Sequence, residues 1–437
     1  MKTICALVAL CTSLLQPASL HAQSLAATRM NAMGKGFNLA NWLEAGWLGS
    51  AYPNPTEYTR AELEALARMG FRTMRVPVLF EWGIRSTAPY DSITDNGPFA
   101  IIDSVIVPVA EKYRMVVIFD NHHGHDLTDS SYASDIPRLC GMWAFLTQRY
   151  RALPHDWYFF ELRNEPTYQI TNEHLHTVQQ AVIDSIRARD ADRTLIAGAN
   201  WWNAGESLAA SVPYRDASDN IIYTFHNYDP FSFTHQGFSW SGVPLGATFA
   251  YPGADADAIF SVFADVRKWA DTHAVPVFLG EFGASWFADA DSRCRYIHCL
   301  MDACDSMRFP WLYWDVTHAE DAFGIFRSGV VRADSLIPCF RAAMNIATGV
   351  EAPTALPDAS TAIYLYPNPA FDRVWVSGAV PFQGATVAVY DARGTRMLVR
   401  NGVWGAALLD VSLLPAGAYW VLVQQGRMTR SEYFMRR

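Results

Sequence analysis

Short apolar runs alternate with helix-patterned stretches eight times along residues 29–347, and that rhythm leaves few folds open. The apolar runs are residues 34–39, 73–78, 115–120, 157–162, 194–198, 221–225, 276–280 and 311–314. Each is too short for a helix, and most are rich in β-branched or aromatic residues, so they read as strands. Between them lie stretches with apolar residues at helical spacing. Leu63, Leu66 and Met69 form one such stripe, and Leu175, Val178, Val182 and Ile186 another. Residues 258–270 and 293–307 read the same way. Eight strands with intervening helices, over somewhat more than the ~250 residues usual for the fold, predict an α/β (β/α)8 TIM barrel. In such a barrel the chemistry gathers at the carboxyl ends of the strands.

The pattern changes beyond the barrel. Residues 348–362 are rich in Pro, Ala, Thr and Asp and read as a linker. Residues 363–437 return to short strands without helices, at 373–376, 386–390 and 418–423, parted by turn signals such as Asp391-Ala392-Arg393-Gly394. They predict a small all-β, immunoglobulin-like sandwich. In it Trp375 and Trp420 fall within alternating strands and are expected in the core, and no planar set with Trp404 is evident. At the other end, residues 1–22 read as a secretory signal peptide, with Lys2, an apolar stretch and Ala22 before a cut.

The formal charge of -9 and the lack of a basic run argue against nucleic acid as a partner. Five cysteines follow the signal: Cys140, Cys294, Cys299, Cys304 and Cys339. Their odd number forbids complete internal pairing, and no zinc spacing is present. Most are expected as small buried hydrophobes, with room for one or two disulfides in an oxidising compartment.

Two strand ends carry a carboxylate. Asn164-Glu165-Pro166 follows the fourth run, and Pro166 stops it because proline cannot donate to a sheet ladder. Gly280-Glu281-Phe282-Gly283 closes the seventh. Glycoside cleavage needs one carboxyl to protonate the leaving oxygen and another at the anomeric carbon, and this pair meets that need if the barrel closes. Other strand ends supply plausible support. Arg75 closes the second strand, and a cation there holds a nearby carboxylate ionised. His122 and His123 after the third can donate to sugar hydroxyls, as can Asn164. Asp120, just before the histidines, reads as structural. His226 and Tyr228 after the sixth can orient one carboxyl and donate to the other. Trp314 on the eighth offers a flat face to a sugar ring. Of Trp201 and Trp202 after the fifth, one ring is expected to face the cleft and the other to pack. The histidine pair lacks a companion cluster at helical spacing, so neither metal nor other cofactor is called for.

In this order the residues resemble glycoside hydrolase family 5, the retaining cellulase and mannanase family. The likeness runs from about Met30 to Ile346 and rests on Arg75, His122 in Asp120-Asn121-His122-His123, Asn164-Glu165-Pro166, His226 with Tyr228, Glu281 and Trp314. The opening Gly36-Phe37-Asn38-Leu39-Ala40-Asn41-Trp42-Leu43-Glu44 is similar to the start of endoglucanases in that family, with Ala40 where many have Gly, and it adds Trp42 to the substrate-binding candidates beside Trp202. The resemblance implies a retaining double displacement with Glu281 as nucleophile and Glu165 as acid/base. The C-terminal segment resembles a type IX secretion sorting domain, on Leu365-Tyr366-Pro367-Asn368-Pro369, Leu413-Leu414-Pro415-Ala416-Gly417 and the basic end Arg436-Arg437.

These readings predict a secreted or cell-surface, monomeric endo-β-1,4-glucanase that meets the secretion machinery through its C-terminal domain. β-Mannan, xyloglucan and mixed-linkage glucan stay open as substrates. The insert at residues 229–254, with Phe231, Phe233, Phe238, Trp240 and Tyr251, is expected to shape that choice. A non-catalytic surface glycan-binding barrel is the reading from another class, and the retention of both carboxylates argues against it.

Overall fold

A computed structural model of the chain describes residues 24–44, 58–85, 87–94, 96–316, 323–326, 331–333, 335–344, 346, 363–366, 370, 372–378, 382–391, 393–405, 407–426 and 428–436. The signal-peptide and linker readings lie outside the described residues.

Eight parallel strands close into a barrel in sequence order. They are β1 (Lys35–Asn38), β2 (Thr73–Val78), β3 (Val116–Asn121), β4 (Tyr158–Glu161), β5 (Leu195–Ala197), β6 (Ile221–His226), β7 (Val277–Glu281) and β8 (Trp311–Tyr313). The helical stripes lie on the intervening helices, among them Arg60–Arg68, Asn172–Arg187, Ala254–His273 and Ala290–Met307. Arg60–Arg68 begins where it does because Thr59 and Glu62 cap each other's backbone in a capping box.

Alternate residues of the strands fill the barrel. Val116, Ile118, Phe159, Ile196, Ile222, Phe278 and Leu312 pack with Ala26 and Met33 in one cluster. Their neighbours Val117, Phe119, Phe160 and Leu279 join the larger core that includes the helices. The period of two therefore carries Arg75, Asp120 and Glu161 to the inside, one layer above the apolar plug. The register lines them up: Asn38 pairs with Arg75, and Asp120 with Glu161. A register shift between β6 and β7 sets His226 opposite Glu281, and such irregularities re-aim side chains. Gly280 permits this, since a Cβ there would sit 2.4 Å from Thr224 Oγ1 and 2.9 Å from His226 Nε2.

A disulfide joins Cys294 on Ala290–Met307 to Cys339 on the helix Pro338–Ala343. Cys299 and Cys304 are free and buried, and Cys140 is free and half-buried.

The C-terminal part forms two antiparallel sheets. Strands β9 (Ile363–Tyr366), β10 (Arg373–Gly378) and β13 (Ala407–Asp410) make one, in the order β13-β10-β9. Strands β11 (Phe382–Asp391), β12 (Arg396–Gly405), β14 (Gly417–Gln425) and β15 (Met428–Arg436) make the other, in the order β12-β11-β14-β15. Val374, Val387, Val389, Val421, Val423 and Phe434 are in its core. Trp420 is not: Tyr419, Val421 and Val423 point inward, so parity turns Trp420 out, where it is 48% exposed. Trp404 is exposed as well. The Trp375 side chain lies outside the described residues.

Candidate active site

Arg75 organises the mouth of the barrel. Its guanidinium is fully buried and donates through Nε to Glu161 Oε2 (2.7 Å), through Nη2 to Glu161 Oε1 (2.8 Å) and Asn164 Oδ1 (2.7 Å), and through Nη1 to Glu281 Oε1 (2.6 Å) and Asn38 Oδ1 (2.9 Å). Asp120 Oδ2 lies 3.1 Å from Nη2. Burial works against the charge on Arg75, but Asp120, Glu161 and Glu281 outweigh it and hold the guanidinium firmly charged. Three acids around one cation leave excess negative charge. Burial raises Asp120 to about 7 and also raises Glu161, with Arg75 opposing both.

Glu281 accepts on both oxygens, Oε1 from Arg75 and Oε2 from the Tyr228 hydroxyl at 2.9 Å. Glu165 touches one of these residues' neighbours instead: His226 Nδ1 lies 2.7 Å from Glu165 Oε1 and 3.7 Å from Glu281 Oε2. Burial lowers His226 to about 4, against the pull of Glu281, so its imidazole is neutral at pH 7. Burial pushes Glu281 up to about 7, opposed by Arg75 and the Tyr228 hydrogen bond. It pushes Glu165 up to about 8, opposed by Arg75 alone. A quarter of the Glu165 side chain still faces solvent, and water tempers that rise. Glu281, with a cation and a phenol on its oxygens, ionises before Glu165. Its charge then makes Glu165 hold its proton more tightly.

Asn164 is buried, with its oxygen on Arg75 and its amide nitrogen 3.5 Å from His122 Nε2. His122 Nδ1 is tied to Asp120 Oδ2 at 2.6 Å, and its ring stacks on Trp314 at 5.3 Å with planes 4° apart. Asp120 thus orients His122 and flanks Arg75 together. His123 is exposed and meets His122 edge-on. Trp314, half-buried, is approached by the backbone of residue 283. A Cβ at Gly283 would lie 2.0 Å from the Trp314 carbonyl oxygen, which is why glycine follows Glu281 so closely.

The aromatic candidates divide. Trp42 is 1% exposed and packs edge-on against Tyr58 at 5.3 Å, so it has no face for a ligand; it is a core residue. Trp201 and Trp202 are both exposed, at 55% and 44%, and neither packs inside. They form an open trio with Tyr168, whose ring lies 5.7 and 5.6 Å from theirs. In the insert after β6, Phe233 and Phe238 are buried, whereas Phe231 and Trp240 are exposed. Sequence reasoning passed over Glu161 and Asn38. A carboxylate inside an apolar strand was the available signal for Glu161, since buried charges are paired.

Among the described residues, Glu165, His226 and Glu281 bring ligand-type atoms within 4.8 Å of one another. Their oxygens already take hydrogen bonds from Arg75 and Tyr228 and share one with His226, and a divalent cation would sit beside the Arg75 guanidinium. The donor set suits proton transfer and attack at carbon better than metal binding.

Paired carboxyls, a buried cation on one of them and aromatic rings at the rim define a barrel built for glycosidic chemistry. Residues 30–320 match the cellulase family, glycosyl hydrolase family 5, and the chain belongs to it. Residues 364–435 match the secretion system C-terminal sorting domain. Endoglucanase 3 of Fibrobacter succinogenes is 29% identical over 66% of this chain and 50% of its own length. The chain therefore spans half the length of that curated relative. A hyperthermophilic endo-β-1,4-glucanase solved in complex with substrate superposes with a TM-score of 0.64 at 27% identity, over 73% of this chain and 98% of that one. Thermotoga maritima Cel5A in complex with mannotriose gives 0.62 at 26% identity, over 72% and 99%. Among the described residues, no helix is long and apolar enough to cross a membrane.

Proposed function

We propose that this protein is a retaining endo-β-1,4-glucanase, with Glu281 as nucleophile and Glu165 as acid/base. One observation carries the reading: the Glu165 and Glu281 oxygens approach within 4.8 Å, and Arg75 and Tyr228 hydrogen-bond only the latter. Retaining glycosidases hold their carboxyls about 5–5.5 Å apart and inverting ones about 6.5–9.5 Å, to admit a water. Glu281 attacks the anomeric carbon as the bond to the leaving oxygen breaks. Glu165 gives that oxygen its proton. A water then attacks the glycosyl-enzyme, Glu165 takes the water's proton, and Glu281 is released. Neutral His226 holds the Glu165 carboxyl in line without adding a charge that would strip its proton.

Glu281→Gln is expected to abolish hydrolysis of carboxymethylcellulose and of every other accepted glycan. Near-normal rates in that variant would remove Glu281 from the role, and binding without turnover by the wild type across a glycan panel would make the protein a glycan-binding barrel instead. Mannan is the second substrate reading, supported by the mannotriose complex of the Thermotoga maritima relative. Product analysis on glucan, mannan, xyloglucan and mixed-linkage glucan separates these. For localisation, we propose export through a cleaved signal at residues 1–22 and passage of the outer membrane directed by residues 363–437. A chain lacking 363–437 should stay inside the outer membrane.

A further inference from the structure

The turn after β5 holds three consecutive non-glycine residues in the left-handed region: Trp201 (φ 53°), Trp202 (φ 56°) and Asn203 (φ 58°). Only asparagine among these residue types tolerates that region, and bulky side chains avoid it. Such a run persists only where surrounding contacts over-determine it, and strain of this kind gathers at functional sites.

Asn200 anchors the start of the turn to Ile170 and Asn172, and the contacts of its left-handed residues converge on Glu165. Trp202 N donates to the Pro166 carbonyl at 2.9 Å, just past Glu165. Asn203 Nδ2 donates to the Asn164 carbonyl, just before it. Ala204 forms a parallel bridge with His226, whose ring hydrogen-bonds the Glu165 carboxyl. Asn203 is fully buried, and its Oδ1 has no hydrogen-bond partner, so the side chain keeps its place for the bond its amide makes. Room for it comes from Gly198, where a Cβ would lie 2.1 Å from Asn203 Oδ1. On the opposite side, Asn164 N donates to the Asn121 carbonyl at 3.1 Å, and Arg163 is held by Glu81. Those contacts fix the strand end; the left-handed turn reaches the backbone on both sides of Glu165.

We propose that Asn203 is a positioning residue for the acid/base: it locks the left-handed turn onto the Asn164 carbonyl and so aims the Glu165 carboxyl at the leaving oxygen. The inference rests on the reading of Glu165 as acid/base. The same turn carries the exposed rings of Trp201 and Trp202, so a sugar stacked on them is seated by the backbone that holds Glu165.

A misaimed acid has a signature that misfolding lacks. A sugar hydroxyl leaves only when protonated, whereas 2,4-dinitrophenolate leaves without a proton. For Asn203→Gly, which keeps the left-handed turn and removes the amide, kcat/KM on cellotetraose should fall at least tenfold. On 2,4-dinitrophenyl β-cellobioside it should stay within about threefold of wild type. The ratio of the two is independent of the folded fraction. Asn203→Ala, which removes the donor in both protonation states of the site, should shift the ratio in the same sense and serves if the glycine variant does not fold. An unchanged ratio in whichever variant folds overturns the proposal. Glu165→Ala is the control: it should show the same selectivity, with azide restoring turnover. If it does not, the acid/base reading fails and the inference falls with it. If it does while the Asn203 variants do not, only the inference fails.

Discussion

Arg75 grips Glu161 in a two-pronged ion pair, 2.7 and 2.8 Å long, and thereby aims its remaining nitrogen at Glu281. The fork fixes the plane of the guanidinium, so the hydrogen bond to Glu281 comes preset in direction. Lysine would carry the charge without the plane.

Arg75→Lys should therefore lower kcat/KM by about 10- to 150-fold, the loss of one charge-assisted hydrogen bond at about 1.5–3 kcal/mol. It should also move the acidic limb of the pH–kcat/KM profile upward, because Glu281 loses the preset guanidinium hydrogen bond that favours its ionised form. Glu161→Gln should move the same limb downward, since it removes a buried negative charge that competes for Arg75. The two variants thus shift one limb in opposite directions. An unmoved limb in Glu161→Gln would show that Glu161 is protonated and merely spaces the site.

Stability should fall as the pH rises through the range in which Glu165 titrates. Its folded value is raised to about 8, chiefly by burial, whereas an unfolded glutamate sits near about 4.3. Between those values the folded chain keeps a proton that the unfolded chain has released. The contribution is whole below the unfolded value and is lost as pH climbs through the folded one. Glu165→Gln removes this group from the balance. Relative to wild type, the variant should gain on the order of 1–3 kcal/mol at pH 8.5 and little at pH 4, read by urea unfolding at the two pH values.

The strand ends were legible because a fully buried parallel strand is an unbroken apolar run, and the polar residue that stops it marks the mouth of the barrel. Asn164, His226 and Glu281 were found that way; Arg75, expected to close its strand, instead lies inside β2 and was visible only as a charge among apolar residues, and the structure draws all four into one network. Glu161 was hidden by the same rule, since it lies inside the run. The left-handed turn left no trace, because Trp201 and Trp202 are residues that would not be chosen for positive φ. Trp42 and Trp420 were misplaced for related reasons. The burial of Trp42 depends on Tyr58, distant in sequence, and residues 418–423 are apolar at every position, so nothing in them sets which parity faces in.

Trp42 and Trp202 should part company on truncation. Trp42→Ala opens a cavity in the core and should cost about 3–5 kcal/mol of stability, seen as an earlier urea midpoint. Trp202→Ala removes an exposed ring and should leave the midpoint almost unchanged. It should instead weaken use of long glucan chains, raising KM several-fold, in line with the roughly 0.5–1.5 kcal/mol carried by a stacked ring. A normal KM for cellohexaose in Trp202→Ala would take that ring out of the substrate path.

The Cys294–Cys339 disulfide ties two barrel helices across 45 residues. Cross-linking a loop of that length restricts the unfolded chain by about 4 kcal/mol in the chain-entropy account. Neither cysteine belongs to the network around Arg75, Glu165 and Glu281. Replacing Cys339 with Ser should thus lower the unfolding free energy by about 2–4 kcal/mol while leaving kcat/KM at 25 °C near the wild-type value. Dithiothreitol should do the same to the wild type and nothing further to the variant. A fall in kcat/KM at full folding would mean that the helix Ala290–Met307 transmits its position to β8 and Trp314, and equal midpoints with and without reductant would mean that the unfolded chain gains no freedom when the bridge opens.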